Sequence, residues 1–166
     1  MLRIDRLSPQ EVERARSIRL RSLNEAPDSF GSTYQAEAAY AESDWRKRLE
    51  RPDAATFVAS QHGGGVGIVV GVADPSHAGV AVLNAMWVPP ESRGRRVGEA
   101  LVNAVIDWAR SEGCHAVLLG VADQSAAAQR LYERMGLVPT GTVGTLAPPR
   151  EHLTLHERRL ELPEAE

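Results

Sequence analysis

The stretch from Met86 to Leu101, Met-Trp-Val-Pro-Pro-Glu-Ser-Arg-Gly-Arg-Arg-Val-Gly-Glu-Ala-Leu, constrains the chain more than any other. An apolar run ends at Pro89-Pro90, and proline has no N–H to give to a ladder, so a strand must stop there. From Val97 the apolar residues fall at Val97, Ala100, Leu101, Ala104, Val105, Trp108 and Ala109, one face of an amphipathic helix. Gly113 predicts its end. The intervening turn directs unpaired backbone N–H groups and the positive end of the helix dipole into one small space, which suits phosphate. Gly94 and Gly98 would let a ligand approach the backbone, and Arg93, Arg95 and Arg96 add positive charge. The turn has neither the Gly-Lys-Ser/Thr of a Walker loop nor a Gly-x-Gly-x-x-Gly fingerprint. Taken alone, it also fits a basic surface turn before an ordinary helix.

Around this unit the chain reads as one mixed domain over residues 1–161, with an acidic, frayed tail over 162–166. Leu2 to Leu7 alternates apolar and charged residues, a half-buried strand. Ser8-Pro9-Gln10-Glu11 predicts a helix start, with Ser8 as cap, Pro9 in the first turn and Glu11 completing a capping box. That helix should reach about Leu23, and a second is expected across Ala36 to Leu49. Residues 54–60, 66–73 and 79–88 read as three strands joined by short turns, an antiparallel meander. The apolar run Ala116 to Val121 reads as an interior strand parallel to the one before the turn. A further helix from Ser125 to Met135 ends at Gly136, and strands over Val138 to Thr145 and Glu151 to Leu160 close the chain. The expected class is α+β, a single mixed and mostly antiparallel sheet with helices on both faces.

Composition removes other classes. A net charge of −3 offers no general attraction to nucleic acid or anionic membrane. Cys114 is the only cysteine, so no intrachain disulfide or thiolate zinc cluster can form. No apolar run approaches the roughly 18 residues of a membrane span, and the amino terminus lacks a signal-peptide layout. The default expectation is a cytoplasmic protein.

The segment Val88-Pro89-x-x-x-Arg93-Gly94-Arg95-Arg96-Val97-Gly98-x-x-Leu101 resembles the acyl-CoA pyrophosphate loop of the GCN5-related N-acetyltransferases, Gln/Arg-x-x-Gly-x-Gly/Ala. Arg93 fills the first place and Gly98 the last, while Arg96 stands where a glycine is usual. A cation there is tolerable provided that the backbone stays in an ordinary helical region. About 30 residues on, Ser125-Ala126-Ala127-Ala128-Gln129-Arg130-Leu131-Tyr132-Glu133-Arg134-Met135-Gly136-Leu137 resembles the family's Asn-x-x-Ala-x-x-Leu-Tyr-Glu-Lys-x-Gly-Phe, with Ser125 for Asn and Leu137 for Phe. The resemblance implies acetyl-CoA as acyl donor, no metal, and a primary amine of a small molecule or peptide as acceptor. It also implies that Met86, Trp87 and Val88 hold the pantetheine arm through their backbone, in a gap between parallel strands. Residues Arg93, Gly94, Arg95, Arg96, Val97, Gly98 and Glu99 would hold the diphosphate. Ser125 would offer a hydroxyl to the arm or serve only as a helix cap. Homodimers are common in the family, and this sequence neither shows nor excludes one.

Amide formation needs a neutral amine, donors for the oxyanion and an acid for the departing thiolate. Tyr132 is the candidate acid, because a phenol with a pKa near about 10 can protonate a thiolate. The base is unassigned: residues 80–88 carry no carboxylate, and Asn84 could only orient a water. Glu25, Asp28, His77, Glu151 and His152 could serve if the fold brings one near. His152 and His156 should share a strand face, their separation being even, but two histidines do not make a metal site. By resemblance the segment between the first two helices lines the acceptor side, making Glu25, Asp28, Phe30 and Tyr34 pocket candidates; Phe30 would equally suit the core. The acidic residues Glu25, Asp28 and Glu37 would suit a cationic acceptor such as a polyamine or amino sugar. Two other readings stand beside the enzyme: a non-catalytic acyl-CoA sensor or scaffold of the same fold, and an ATP-binding protein. Without a Lys-Ser/Thr pair the latter is remote.

Overall fold

The computed structural model describes residues 1–164. Seven strands form one sheet in the order β1-β2-β3-β4-β5-β7-β6. They are β1 (Arg3–Arg6), β2 (Ala54–Gln61), β3 (Gly64–Ala73), β4 (Val80–Trp87), β5 (Ala116–Ala122), β6 (Val138–Thr145) and β7 (Thr154–Glu161). All neighbours are antiparallel except β4 and β5, as the α+β expectation required. Helix α1 (Val12–Glu25), α2 (Tyr34–Ala38) and α3 (Glu42–Glu50) are set against one face, α4 (Val97–Ser111) and α5 (Ala126–Arg134) against the other. No helix among the described residues is long and apolar enough to cross a membrane.

Each face has its own core. On the α4 side Val69, Ala81, Leu83, Val117, Leu119 and Val121 meet Leu101, Val105 and Trp108. Glycines of β3 let α4 lie close: a Cβ on Gly67 would stand 2.7 Å from Leu101 and one on Gly71 2.8 Å from Trp108. On the α1 side Ile18, Leu23, Phe30 and Trp45 meet Val58, Ile68 and Trp87.

The helical layer departs from the sequence expectation in two places. Ser8 does not open α1. Its carbonyl accepts the Glu11 N–H at 3.0 Å and the Glu11 carboxylate accepts the Ser8 N–H at 3.1 Å, so the capping chemistry closes a turn on itself. The helix then begins at Val12 and runs on to Glu25. The expected helix over 36–49 is two helices: α2 stops at Ala38, Ala41 is extended, and the Asp44 carboxylate caps the Ala41 N–H at 2.9 Å to start α3. Across that bend the Glu37 carboxylate, 0% exposed, accepts from Arg19 Nε and Nη2 at 3.0 Å and from Arg48 Nη1 at 2.8 Å. Glu37 therefore locks α1, α2 and α3 together and is not available to an acceptor.

The chain's end also differs from expectation. Strand β7 starts at Thr154 rather than Glu151, and Glu161 belongs to it. Leu162, assigned above to the tail, is buried, and its N–H donates to the His115 carbonyl at 2.7 Å. Residues 165 and 166 of that tail lie outside the described residues.

Burial works against the Glu37 charge, but the Arg19 bonds and charge outweigh it and hold the carboxyl below its usual 4.5. A carboxylate with a depressed folded pKa stabilises above its unfolded pKa and loses that contribution as pH falls through the folded value. Glu37→Gln should cost about 3–5 kcal/mol near neutral pH by stranding the largely buried Arg19 guanidinium. Urea unfolding against pH should show the wild type's lead constant above about pH 5 and shrinking below it.

Candidate functional site

The parallel pair β4 and β5 is joined only at Val80↔Ala116, Ala81↔Val117 and Val82↔Leu118. Beyond these, Leu83–Trp87 and Leu119–Ala122 diverge, and a gap opens toward the carboxyl ends of both strands. A bulge accompanies it. Between Val70↔Asn84 and Ile68↔Trp87, β4 carries one residue more than β3, and Ala85 takes a left-handed φ of 57°. The extra residue reverses the alternation along β4. Ala81 and Leu83 face the α4 core, whereas Trp87 enters the α1 core. There the Trp87 indole N–H donates to Glu25 Oε2 at 2.7 Å, and Arg93 Nη2 donates to the same oxygen at 3.3 Å. Arg93 Nε donates to the Val88 carbonyl at 2.9 Å. Glu25 thus ties the end of α1 to the turn, and the Arg93 charge is largely spent inside that bracket.

The turn itself is open. The first bond of α4 runs from the Ala100 N–H to the Arg96 carbonyl at 3.1 Å. Among the described residues no backbone acceptor serves the amides of residues 94–99 ahead of it, and no side chain caps the helix. Gly94 has a φ of 78° and open space around its Cβ position. Arg95 and Arg96 are exposed and have no hydrogen-bond or ion-pair partner among the described residues. The condition set on Arg96 fails: its φ is 64° and ψ 14°, the left-handed region, not an ordinary helical one. That geometry gives the physical reason for a glycine there. Gly98 also meets a packing demand. A Cβ on it would stand 2.9 Å from Leu131 and 3.1 Å from Met86, so its bareness lets α4 close on β4 and α5.

Tyr132, 4% exposed, packs into the α4-side core with Leu131 and Ala128 beside it. Its hydroxyl has no hydrogen bond to a described residue, and burial pushes the phenol up, keeping it protonated. Ser125 takes the N-cap position of α5, but its side chain makes no capping bond. It follows the carboxyl end of β5 by three residues.

The other sheet face carries the remaining candidates. Asn84 is exposed on β4, away from the α4 core, two residues beyond the last β4–β5 pair, while Gly120 on β5 pairs with Glu157 on β7. Around this face the α1–α2 segment is held from outside. Arg150, in the β6–β7 connection, donates to the carbonyls of Pro27 at 2.7 Å, Phe30 at 2.8 Å and Gly31 at 3.1 Å, and Gln124 donates to Asp28 at 3.5 Å. Arg150 carries no motif, and only the fold reveals its role. Phe30 is buried under Arg19, whose Cζ lies 4.8 Å from the ring centroid, so it belongs to the core. Asp28 is exposed, and so is Tyr34 at 45%. His152 lies in the turn before β7, while His156 is on the strand and contacts Asp123, so the two do not share a strand face. Two surface depressions, against Tyr40 and Trp45 and against Phe57 and Trp108, lie elsewhere.

Comparison with known proteins identifies the family. The acetyltransferase (GNAT) family model matches residues 20–137. The chain is 29% identical over 126 residues to the IAA acetyltransferase of Azospirillum brasilense, covering 76% of this chain and 80% of that one. It is 32% identical over 110 residues to the N-acetylaspartate synthetase of Mus musculus, covering 66% of this chain and 36% of that one. Thus it spans little more than a third of the latter. In three dimensions it superposes on YncA of Salmonella typhimurium, solved with its cofactor acetyl-CoA, with a TM-score of 0.78 over 100% of this chain and 96% of that one at 19% identity. The chain belongs to the GNAT family of acetyl-CoA-dependent N-acetyltransferases.

A left-handed non-glycine residue costs about 1–2 kcal/mol, while glycine costs about 0.5–1 kcal/mol in unfolded-chain freedom. Arg96→Gly should therefore leave stability unchanged or raise it by up to about 1 kcal/mol, and Arg96→Val should lower it. Urea midpoints of the three proteins test this; a Gly variant well below wild type would sink the strain assignment.

Proposed function

We propose that the chain transfers acetyl directly from acetyl-CoA to the primary amine of a small molecule or peptide. The observation that carries the reading is the pairing of a strand gap with unserved amides at residues 94–99, one element apart. The diphosphate rests on those amides at the positive end of α4, with Arg95 and Arg96 alongside. The pantetheine arm lies in the gap along the backbone of Met86, Trp87 and Val88, and the Ser125 hydroxyl reaches it from the far wall. A backbone N–H near Val88 polarises the thioester carbonyl as the oxyanion develops.

Tyr132 supplies a proton to the leaving thiolate. Burial keeps the phenol protonated in the resting enzyme, and the same upward push makes it a weaker acid, one that gives up its proton only as charge builds on the departing sulfur. A covalent route through Cys114 has no support. It precedes β5 at the end away from the gap, and burial together with Glu112 pushes its thiol up, away from the reactive thiolate.

The acceptor approaches from the face opposite α4, bounded by the α1–α2 segment and the β6–β7 connection. Two of the three acidic residues that would favour a polycation are spent, Glu37 on Arg19 and Arg48 and Glu25 on Trp87 and Arg93. The pull toward a cationic acceptor is weakened accordingly. A compact amine is the better fit, in keeping with a relative named for making an acetylated amino acid.

Thermal unfolding with acetyl-CoA, CoA and ATP tests donor binding. A ligand at 100 times its Kd adds about 2.7 kcal/mol to stability, so both CoA species should raise the midpoint while ATP does not. Thiol release with aspartate, methionine, spermidine, glucosamine and a free-amino-terminus peptide then ranks acceptors. Tyr132→Phe should slow that release by about 100-fold or more while calorimetry finds acetyl-CoA affinity nearly unchanged. Small, equal effects on both would reduce Tyr132 to packing.

A further inference from the structure

The catalytic base absent from β4 is supplied by another strand: we propose that Glu157 of β7 accepts the proton of the acceptor ammonium, directly or through one water. The inference rests on the donor site proposed above, and it follows from register. Strand β5 pairs with β7 without a shift from Ala116↔Glu161 to Ala122↔Leu155, so Gly120 stands opposite Glu157. Residues directly opposite in an antiparallel pair share a face. Val117, Leu119, Val121 and Leu160 define the face toward α4, and alternation puts Gly120 and Glu157 on the other. Asn84 and Gly120 each lie two residues beyond the last pair, Val82↔Leu118, and alternation turns both to that same face, on either side of the gap. One row thus crosses the sheet as Asn84, the gap, Gly120 and Glu157.

The donor half of the site occupies the α4 face, so an amine reaches the thioester from the face that carries this row. Gly120 matters through what it lacks. A Cβ there would meet only Leu155, at 3.9 Å, and no side chain stands between Glu157 and the edge of the gap, one strand spacing of about 4.8 Å away. At rest the carboxylate leans toward β6, on the side of β7 away from β5, where the Thr140 hydroxyl donates to Glu157 Oε1 at 2.8 Å, so to act it swings back across β7 over Gly120. Oε2 has no hydrogen-bond partner among the described residues. Its flanking groups on the row's strands are Gly120, Asn84 and Thr140, none of them titratable in the working range. The charged neighbour is Arg159, two residues along β7, whose guanidinium contacts Glu161.

The proton balance closes. Glu157 takes one proton from the ammonium, and the neutral nitrogen attacks the carbonyl carbon to form the C–N bond. On collapse the C–S bond breaks and the sulfur takes the Tyr132 phenolic proton. The second nitrogen proton returns to Tyr132 through solvent, and Glu157 releases its own to solvent. Amide, CoA thiol and one proton leave.

Two small nucleophiles test this without knowledge of the natural acceptor. Ethylamine is an ammonium ion at neutral pH and needs a base; hydroxylamine is already uncharged and does not. In thiol-release assays corrected for the uncatalysed reaction, Glu157→Gln should lower kcat/KM for ethylamine by about 100-fold or more. It should leave hydroxylamine within a few-fold of wild type and acetyl-CoA affinity unchanged by calorimetry. The ethylamine profile of the variant should rise with pH until the amine itself deprotonates, and Glu157→Asp should recover part of the loss. Equal losses with both nucleophiles would make Glu157 structural and overturn the proposal, as would no loss with ethylamine. Failure of the wild type to bind acetyl-CoA would overturn the donor site instead.

Discussion

Three residue pairs join β4 to β5, and the proposed chemistry depends on their ending at Val82 and Leu118. Parallel strands that stayed paired would leave no room for a ligand between them. The divergence is built into β4 by the left-handed Ala85 and the extra residue it brings. The same bulge sends Trp87 into the α1 core, where Glu25 holds its indole and Arg93 together. One local backbone event therefore opens the gap, redirects the strand end and fixes where the basic turn begins. Nothing else in the sheet has comparable reach.

Much of this architecture was legible in the residues. Pro89-Pro90, the period from Val97 to Ala109 and the turn glycines gave β4, the basic turn and α4 with their bounds nearly right, because each signal is local and strong. The parallel β5 followed from a continuous apolar run. The misses share one physical cause, which is tertiary contact overriding a local preference. Ser8 and Glu11 have capping chemistry that closes a turn instead. The helix over 36–49 breaks because Glu37 must meet Arg19 and Arg48 at once, a three-element demand that no window of sequence displays. Phe30 belongs to the core, Glu25 is a bracket, and His152 falls outside β7.

Arg96 shows how a motif departure is to be weighed. Its side chain is innocuous, since a cation beside a diphosphate is favourable; the cost lies in its backbone, which is left-handed. The chain accepts that cost at the position where the amides of residues 94–99 are turned outward. Strain and the proposed anion recognition thus occupy the same few atoms. Gly98 is the converse case, a motif residue whose bareness is also demanded by packing against Met86 and Leu131.

The sheet also separates the two halves of the proposed reaction by face. Side chains that face α4 are apolar or, like Tyr132, held neutral by burial, and suit a thioester and a protonated phenol. The opposite face carries the polar groups: Asn84 on β4 beside the gap, nothing at Gly120, and Glu157 on β7, held at rest by Thr140 of β6. A carboxylate on β4 itself would sit closest to the gap, yet β4 has none. Gly120 resolves that difficulty, because a bare position on the intervening strand lets the next strand's carboxylate stand in. Meanwhile Arg150 holds the α1–α2 segment by three of its carbonyls, so the wall facing this row is made of backbone pinned from the far end of the sheet. On this arrangement acceptor choice is governed by the shape of that pinned segment and the reach of Glu157, rather than by the acidic residues of the loop, most of whose charge is already spent within the fold.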